Sequence, residues 1–132
     1  MSPLASIPFV LVANPASPFH SVADVIARAR AAPGTVAYAS AGPGTSNHLA
    51  GAMLASQADV KLLHVPYRGS APALAAVLAG QVPLMFDLQS TAVPNIRSGS
   101  VRAIAVTSAQ RSSLLPEVPT VSESGLPGFE IS

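Results

Sequence analysis

The sequence predicts a three-layer α/β fold, a mostly parallel sheet flanked by helices, and three observations predict it. Five short apolar runs, Phe9–Ala13, Val36–Ala39, Lys61–Val65, Leu84–Asp87 and Arg102–Val106, read as strands. They are largely continuous rather than alternating, the pattern of strands covered on both faces. Helical patterns separate them at intervals of roughly twenty residues, which implies crossover connections and hence a parallel sheet. Hydrophobic residues make up 49% of the 132 and charged residues only 10%. That balance excludes disorder and suits one domain with a heavily buried sheet.

Each helix carries its own start and stop signals. Ser21, with Asp24 three residues on, begins the first, whose apolar stripe is Val22, Val25, Ile26 and Ala29, and Pro33-Gly34 ends it. Thr45 or Ser46 opens the second, with Leu49, Met53 and Leu54 expected to face inward. Ser70 is expected to cap the third, Pro72 to sit in its first turn, Leu74, Val77 and Leu78 to point to the core, and Gly80 to stop it. A fourth, short helix runs from about Thr91 to Ser98 before Gly99, and Thr120 with Glu123 makes a capping box for a last turn ended by Gly125.

Composition removes several functions. Seven Lys+Arg are dispersed along a chain of formal charge +1, which gives no footprint for nucleic acid. No cysteine is present, so there is neither a disulfide scaffold nor a thiolate nucleophile. The uncharged opening, Met1–Phe19, is broken by Pro3, Pro8, Pro15 and Pro18 and is too short in its apolar part to span a bilayer. No basic segment precedes it, so it does not read as a signal peptide, and the leader of an exported protein would lie upstream. His20, His48 and His64 lack ligand spacing and an acidic or thiol companion, so no metal site is expected.

In sheets of this kind ligands bind beyond the carboxyl ends of the strands, which leaves three loops to consider. In the first, Ser40 to His48, Gly42 and Gly44 let the backbone approach a ligand, and the start of the next helix leaves amides unpaired. With the hydroxyls of Ser40, Thr45 and Ser46, and His48 nearby, that is an anion seat; it also suits a Gly-rich turn with an ordinary cap. No lysine follows the second glycine, so this is not a P-loop. The second, His64 to Ser70, offers Tyr67, the amides of Gly69 and Ser70, and Arg68, which equally suits a solvated position. In the third, Asp87 ends a strand and would either face a ligand or cap the helix that follows. Ser46, His48 and Asp87 have the residue types of a hydrolase triad. However, Ser46 and His48 project about 200° apart at a helix start, and no G-x-S-x-G elbow is present.

Several segments together carry a resemblance: Ala41-Gly42-Pro43-Gly44-Thr45-Ser46-Asn47-His48-Leu49-Ala50-Gly51, His64-Val65-Pro66-Tyr67-Arg68-Gly69-Ser70, Gly80–Asp87, Arg102–Thr107 and Leu115–Val121 with Gly125–Gly128. In order and spacing, from about Ile7 to Glu130, the chain resembles the Bug-type substrate-binding proteins of tripartite tricarboxylate transporters. The resemblance implies one lobe of a type II periplasmic binding fold, with residues 1–132 as a single domain equivalent to the second lobe and the first lobe absent. It further implies a non-enzymatic, cofactor-free protein that captures small carboxylates in the periplasm and delivers them to membrane permease subunits. Gly42–Ser46, Tyr67–Ser70 and Asp87 would line its cleft. An uncovered cleft face and exposed hinge strands are surfaces for self-association, and a lone lobe is expected to bind weakly. The alternatives are a small hydrolase or phosphate-handling enzyme using the Gly42–His48 loop, and a ligand-free interaction module.

Overall fold

The computed structural model describes residues 8–131; the expectation about a leader falls on residues outside these. The elements in order are β1 (Phe9–Ala13), α1 (Val22–Ala31), β2 (Ala37–Ser40), α2 (Ser46–Ala58), β3 (Leu63–Pro66), α3 (Ser70–Leu78), β4 (Leu84–Leu88), α4 (Gln89–Arg97) and β5 (Arg102–Val106). One turn of 3-10 helix, Ser122–Ser124, follows. All five strands and all four helices lie where the sequence places them, with shifts of one to three residues at some ends. Among the described residues no helix is long and apolar enough to cross a membrane.

The sheet has the order β3-β2-β4-β1-β5. β2 runs parallel to β3 and β4, whereas β1 is antiparallel to both β4 and β5. Four strands therefore share a direction and β1 alone opposes them, so the sheet is mixed where a mostly parallel one was expected. β1 has no crossover from a preceding strand among the described residues, so nothing forces it to run with the others. It slots between β4 and β5, and all five of its residues are buried. Phe9, Leu11 and Ala13 meet the layer of α1 and α2, where Val22, Val25, Ala29, Ala50 and Leu54 lie; Val10 and Val12 meet Ala73, Val77, Ala92 and Val93 of α3 and α4. Burial on both faces explains the unbroken apolar run.

The starts of α1 and of the last turn follow the local signals, whereas α3 is capped by Gly69 and has Ser70, the expected cap, as its first helical residue. Ser21 Oγ accepts from the Asp24 amide (3.1 Å) and Asp24 Oδ2 from the His20 amide (2.9 Å), so two free donors at the start of α1 are paired. Thr120 Oγ1 likewise accepts from the Glu123 amide (3.0 Å). The inward faces of α2 and α3 include Leu54 and Val77, as expected, but not Leu49 or Leu78. Leu49 is 55% and Leu78 42% exposed, while Ala50, Leu54 and Ala58 of α2, and Ala73, Ala76 and Val77 of α3, are buried. Small residues face the sheet because the helices pack close to it. At Gly51 an added Cβ would stand 2.2 Å from the Tyr38 ring, whose hydroxyl donates to His48 O (3.0 Å).

Both sheet margins are altered. At β3, the amides of Leu63 and Tyr67 turn inward to Val36 O and Ser40 O (2.8 and 2.9 Å), which leaves His64 and Pro66 facing out. Beside β5, Thr120 forms a parallel bridge with Val106. Thr107, fully buried, ties the ends of the described chain together. Its amide donates to Phe9 O (2.9 Å), its Oγ1 accepts from the Phe9 amide (2.9 Å) and donates to Ile131 O (2.8 Å), and its carbonyl takes the Ile131 amide (2.9 Å).

The Gly51 contact gives a prediction of sign. On an open helix surface Gly→Ala stabilises by up to about 1 kcal/mol. Here Gly51→Ala must displace the pinned Tyr38 ring, and overpacking of this kind costs about 1–3 kcal/mol. Urea unfolding of the variant is expected to show a loss of stability, and a gain would refute the contact.

Candidate functional site

Because β1 runs against its neighbours, its first residue lies at the same edge as the carboxyl ends of β2, β3 and β4. A shallow concavity of about 230 Å³ opens there. Phe9, Ala41 and Leu88 give it apolar walls, and Thr45, Ser46, Asn47 and Ser70 supply polar groups; among the described residues no charged one lines it. A larger hollow of about 380 Å³, walled by Phe19, Arg28 and Pro83, lies at the opposite end of the sheet, away from every predicted site residue.

The loop between β2 and α2 consumes its own donors. Gly42, with φ 137°, gives its amide to Ser40 Oγ (3.1 Å), and Gly44, with φ 80°, gives its amide to His48 Nδ1 (2.9 Å). The Thr45 amide donates to Gly42 O (3.3 Å) and the Ala41 amide to Asn47 Oδ1 (3.1 Å). The Thr45 hydroxyl lies 2.6 Å from both Gly42 O and Asn47 Oδ1. Ser40 Oγ also pairs with His64 Nε2 and is fully enclosed. Burial first, and then the neighbouring His48, hold His64 below the ordinary imidazole range. The His48 ring stacks on His64 with centroids 3.8 Å apart. Of the residues expected to seat a ligand, the amides of Gly42 and Gly44, the hydroxyls of Ser40 and Thr45, and the Nδ1 of His48 are therefore bonded within the loop.

Open donors begin where the helix begins. Leu49 is the first α2 residue to reach a carbonyl, Thr45 O at 3.0 Å. Among the described residues the amides of Ser46, Asn47 and His48 have no acceptor, as the first turn of any helix requires. Ser46 is exposed and its hydroxyl is likewise unpartnered among them.

The second loop is stapled to the first by the bonds from the Tyr67 amide to Ser40 O (2.9 Å) and from the Gly69 amide to Ala41 O (3.2 Å). Those staples close the Gly69 amide to a ligand but carry Ser70 to the rim. Tyr67 is half-buried against the α3 and α4 layer, and Arg68 is exposed. Neither lines the concavity. Asp87 does not line it either: it lies opposite Val10 in the sheet, is 1% exposed, and accepts from Thr91 Oγ1 (2.6 Å). Strand alternation turns Asp87 toward the face that holds Met85, and Leu88 lines the site in its stead. Asn47, Phe9, Ala41 and Leu88 are the lining residues that sequence reasoning did not select. For Asn47 a signal existed, an amide side chain two residues past a helix-capping threonine. For Phe9 none existed, because its place depends on the direction of β1.

Burial pushes the Asp87 carboxyl above its ordinary range, with the Thr91 hydroxyl bond working against that shift. A carboxyl whose pKa is raised on folding binds its proton more tightly in the native state. Its contribution to stability is thus greatest below the ordinary carboxylate range and is lost as pH rises through the raised value. Asp87→Asn keeps an acceptor for Thr91 and removes the buried charge. It is expected to be more stable than the parent in urea at about pH 7, with the advantage vanishing near pH 3. Destabilisation at neutral pH would count against this account.

Comparison with known proteins identifies the family and the fold. A family model described as the tripartite tricarboxylate transporter family receptor matches residues 1–132. A protein of Pseudomonas sp. (strain P51), encoded in the tcbD-tcbE intergenic region, is 50% identical over 128 residues, which cover 96% of this chain and 38% of that protein. Rpa4515 of R. palustris, solved with adipate, superposes with a TM-score of 0.91 at 35% identity over 96% of this chain and 42% of that one. The periplasmic binding protein BugD superposes at 0.87 and 38% identity, over 95% and 42%. The chain spans about two fifths of the length of these relatives, and its fold is that of one lobe of a type II periplasmic binding protein. The chain belongs to the tripartite tricarboxylate transporter receptor family.

Proposed function

We propose that this chain forms one wall of a cleft that captures a small carboxylate for uptake, as the second lobe of a two-lobed periplasmic receptor that serves membrane permease subunits. The observation that carries the reading is the pair of unpaired amides at Ser46 and Asn47, followed in the same helical turn by that of His48, beside the hydroxyls of Ser46 and Ser70 at an open concavity with no charged residue among its described lining. Main-chain donors and the positive end of a helix dipole suit a carboxylate without any cationic side chain. The adipate in Rpa4515 supports the ligand class.

The enzymatic alternative lacks an activated nucleophile: among the described residues no base pairs with the exposed Ser46 hydroxyl, His48 Nδ1 is taken by the Gly44 amide, and Asp87 is buried on the other face of the sheet. Ser40 and His64 are paired at the end of β2, but the Ser40 hydroxyl is enclosed and already accepts from Gly42. A substrate carbonyl has no approach to it.

One wall supplies only part of the donor set. Two charge-assisted bonds at a net value of about 1.5–3 kcal/mol each sum to about 3–6 kcal/mol, a range that includes a dissociation constant of about 1 mM. Titration of the ¹⁵N-labelled chain with adipate is expected to shift the amide resonances of Ser46, Asn47, His48 and Ser70 with millimolar saturation. Unmoved resonances would refute the carboxylate reading, and low-micromolar saturation would refute the role of a second wall.

A further inference from the structure

We infer that the side-chain amide of Asn47 is a specificity-determining donor to the bound carboxylate, a conclusion that rests on the reading above and adds a residue to it. Asn47 is only 6% exposed, yet it lines the concavity. Its Oδ1 accepts from the Ala41 amide (3.1 Å) and faces the Thr45 hydroxyl (2.6 Å). The Ala41 amide can only donate, so a flipped side chain would set N–H against N–H; the carboxamide orientation is thereby fixed. Nδ2 must then point away from the loop.

Among the described residues Nδ2 has no hydrogen-bond partner, although it is absent from the enclosed, unpaired side-chain atoms there, Ser17 Oγ and Gln89 Oε1. Solvent therefore reaches it, from a side chain that is otherwise packed. A nearly buried amide that keeps one donor aimed outward is pre-organised, because its rotamer and its rotation are already set by the loop. It stands beside the free main-chain amides of Ser46 and Asn47 itself, so one carboxylate can accept from both kinds of donor. With no charged residue in the lining, the direction of these N–H groups decides which acceptor fits.

Asn47→Asp separates this role from a structural one. The aspartate keeps an acceptor for Ala41 and Thr45, and an acidic side chain in the first helical turn is favourable, so a purely structural residue would tolerate the change. A ligand donor would not, because a carboxylate oxygen replaces Nδ2. The experiment is adipate titration of the full chain, parent and variant, followed by NMR, with thermal unfolding as the control. Weakening by at least about tenfold at an unchanged unfolding midpoint supports the proposal, and equal binding overturns it. The parent gives a second readout that needs no variant, and it decides the matter if the aspartate form fails to fold. The Asn47 side-chain NH₂ pair is expected to shift in step with the Ser46 amide; a still NH₂ pair beside a saturating Ser46 overturns the inference alone. A parent in which neither Ser46 nor Ser70 responds overturns the carboxylate reading and this inference together.

Discussion

The first turn of α2 cannot pair its own amides, and the loop before it does nothing to relieve them. The Gly42 amide donates to Ser40 Oγ, the Gly44 amide to His48 Nδ1 and the Thr45 amide to Gly42 O, and Pro43 has no amide to give. This self-contained wiring holds the loop rigid and keeps it from folding back over the helix start. A looser loop would cap α2 itself and remove the site. Rigidity in Gly42–Thr45 and openness at Ser46–His48 are two sides of one arrangement.

The sheet determines where that opening faces. Parallel β2, β3 and β4 bring their following loops to one edge, and the staples from Tyr67 and Gly69 hold the second loop against the first. β1, running the other way, delivers Phe9 to the same edge. The concavity therefore receives apolar walls from strand ends and donors from helix starts. Thr107 holds the beginning of β1 and Ile131 at this end of the molecule.

Most of the fold was legible because the strands and caps are local signals. Unbroken apolar runs marked buried strands, and Ser21 with Asp24, or Thr120 with Glu123, marked helix starts that the structure reproduces. The direction of β1 was not legible, since nothing in Phe9–Ala13 distinguishes a parallel from an antiparallel neighbour. The phase of α2 was hidden for a related reason: Ser46–Ala58 is uncharged and has small or apolar residues on every side. Only the close approach of Gly51 to Tyr38 sets which face turns inward. At the candidate site, the sequence pointed to the loop and the helix start but could not tell which donors were already engaged. That depends on how far Ser40 Oγ and His48 Nδ1 reach, which is tertiary information. Asp87 does not line the concavity because it is one strand position from Leu88, and in a strand one position is the opposite face.

The two sheet margins described above have a further physical meaning. A β-edge recruits other chains by offering a regular row of main-chain donors and acceptors. Along β3 the outward row holds the N–H of His64 and then Pro66, which has none, so a foreign strand docking there would meet a gap in its ladder. At the opposite margin Thr120 already occupies the place such a strand would take beside Val106. In a chain with only 10% charged residues, where electrostatic repulsion is slight, these interrupted templates are the feature of the sheet's rims that opposes strand-by-strand growth.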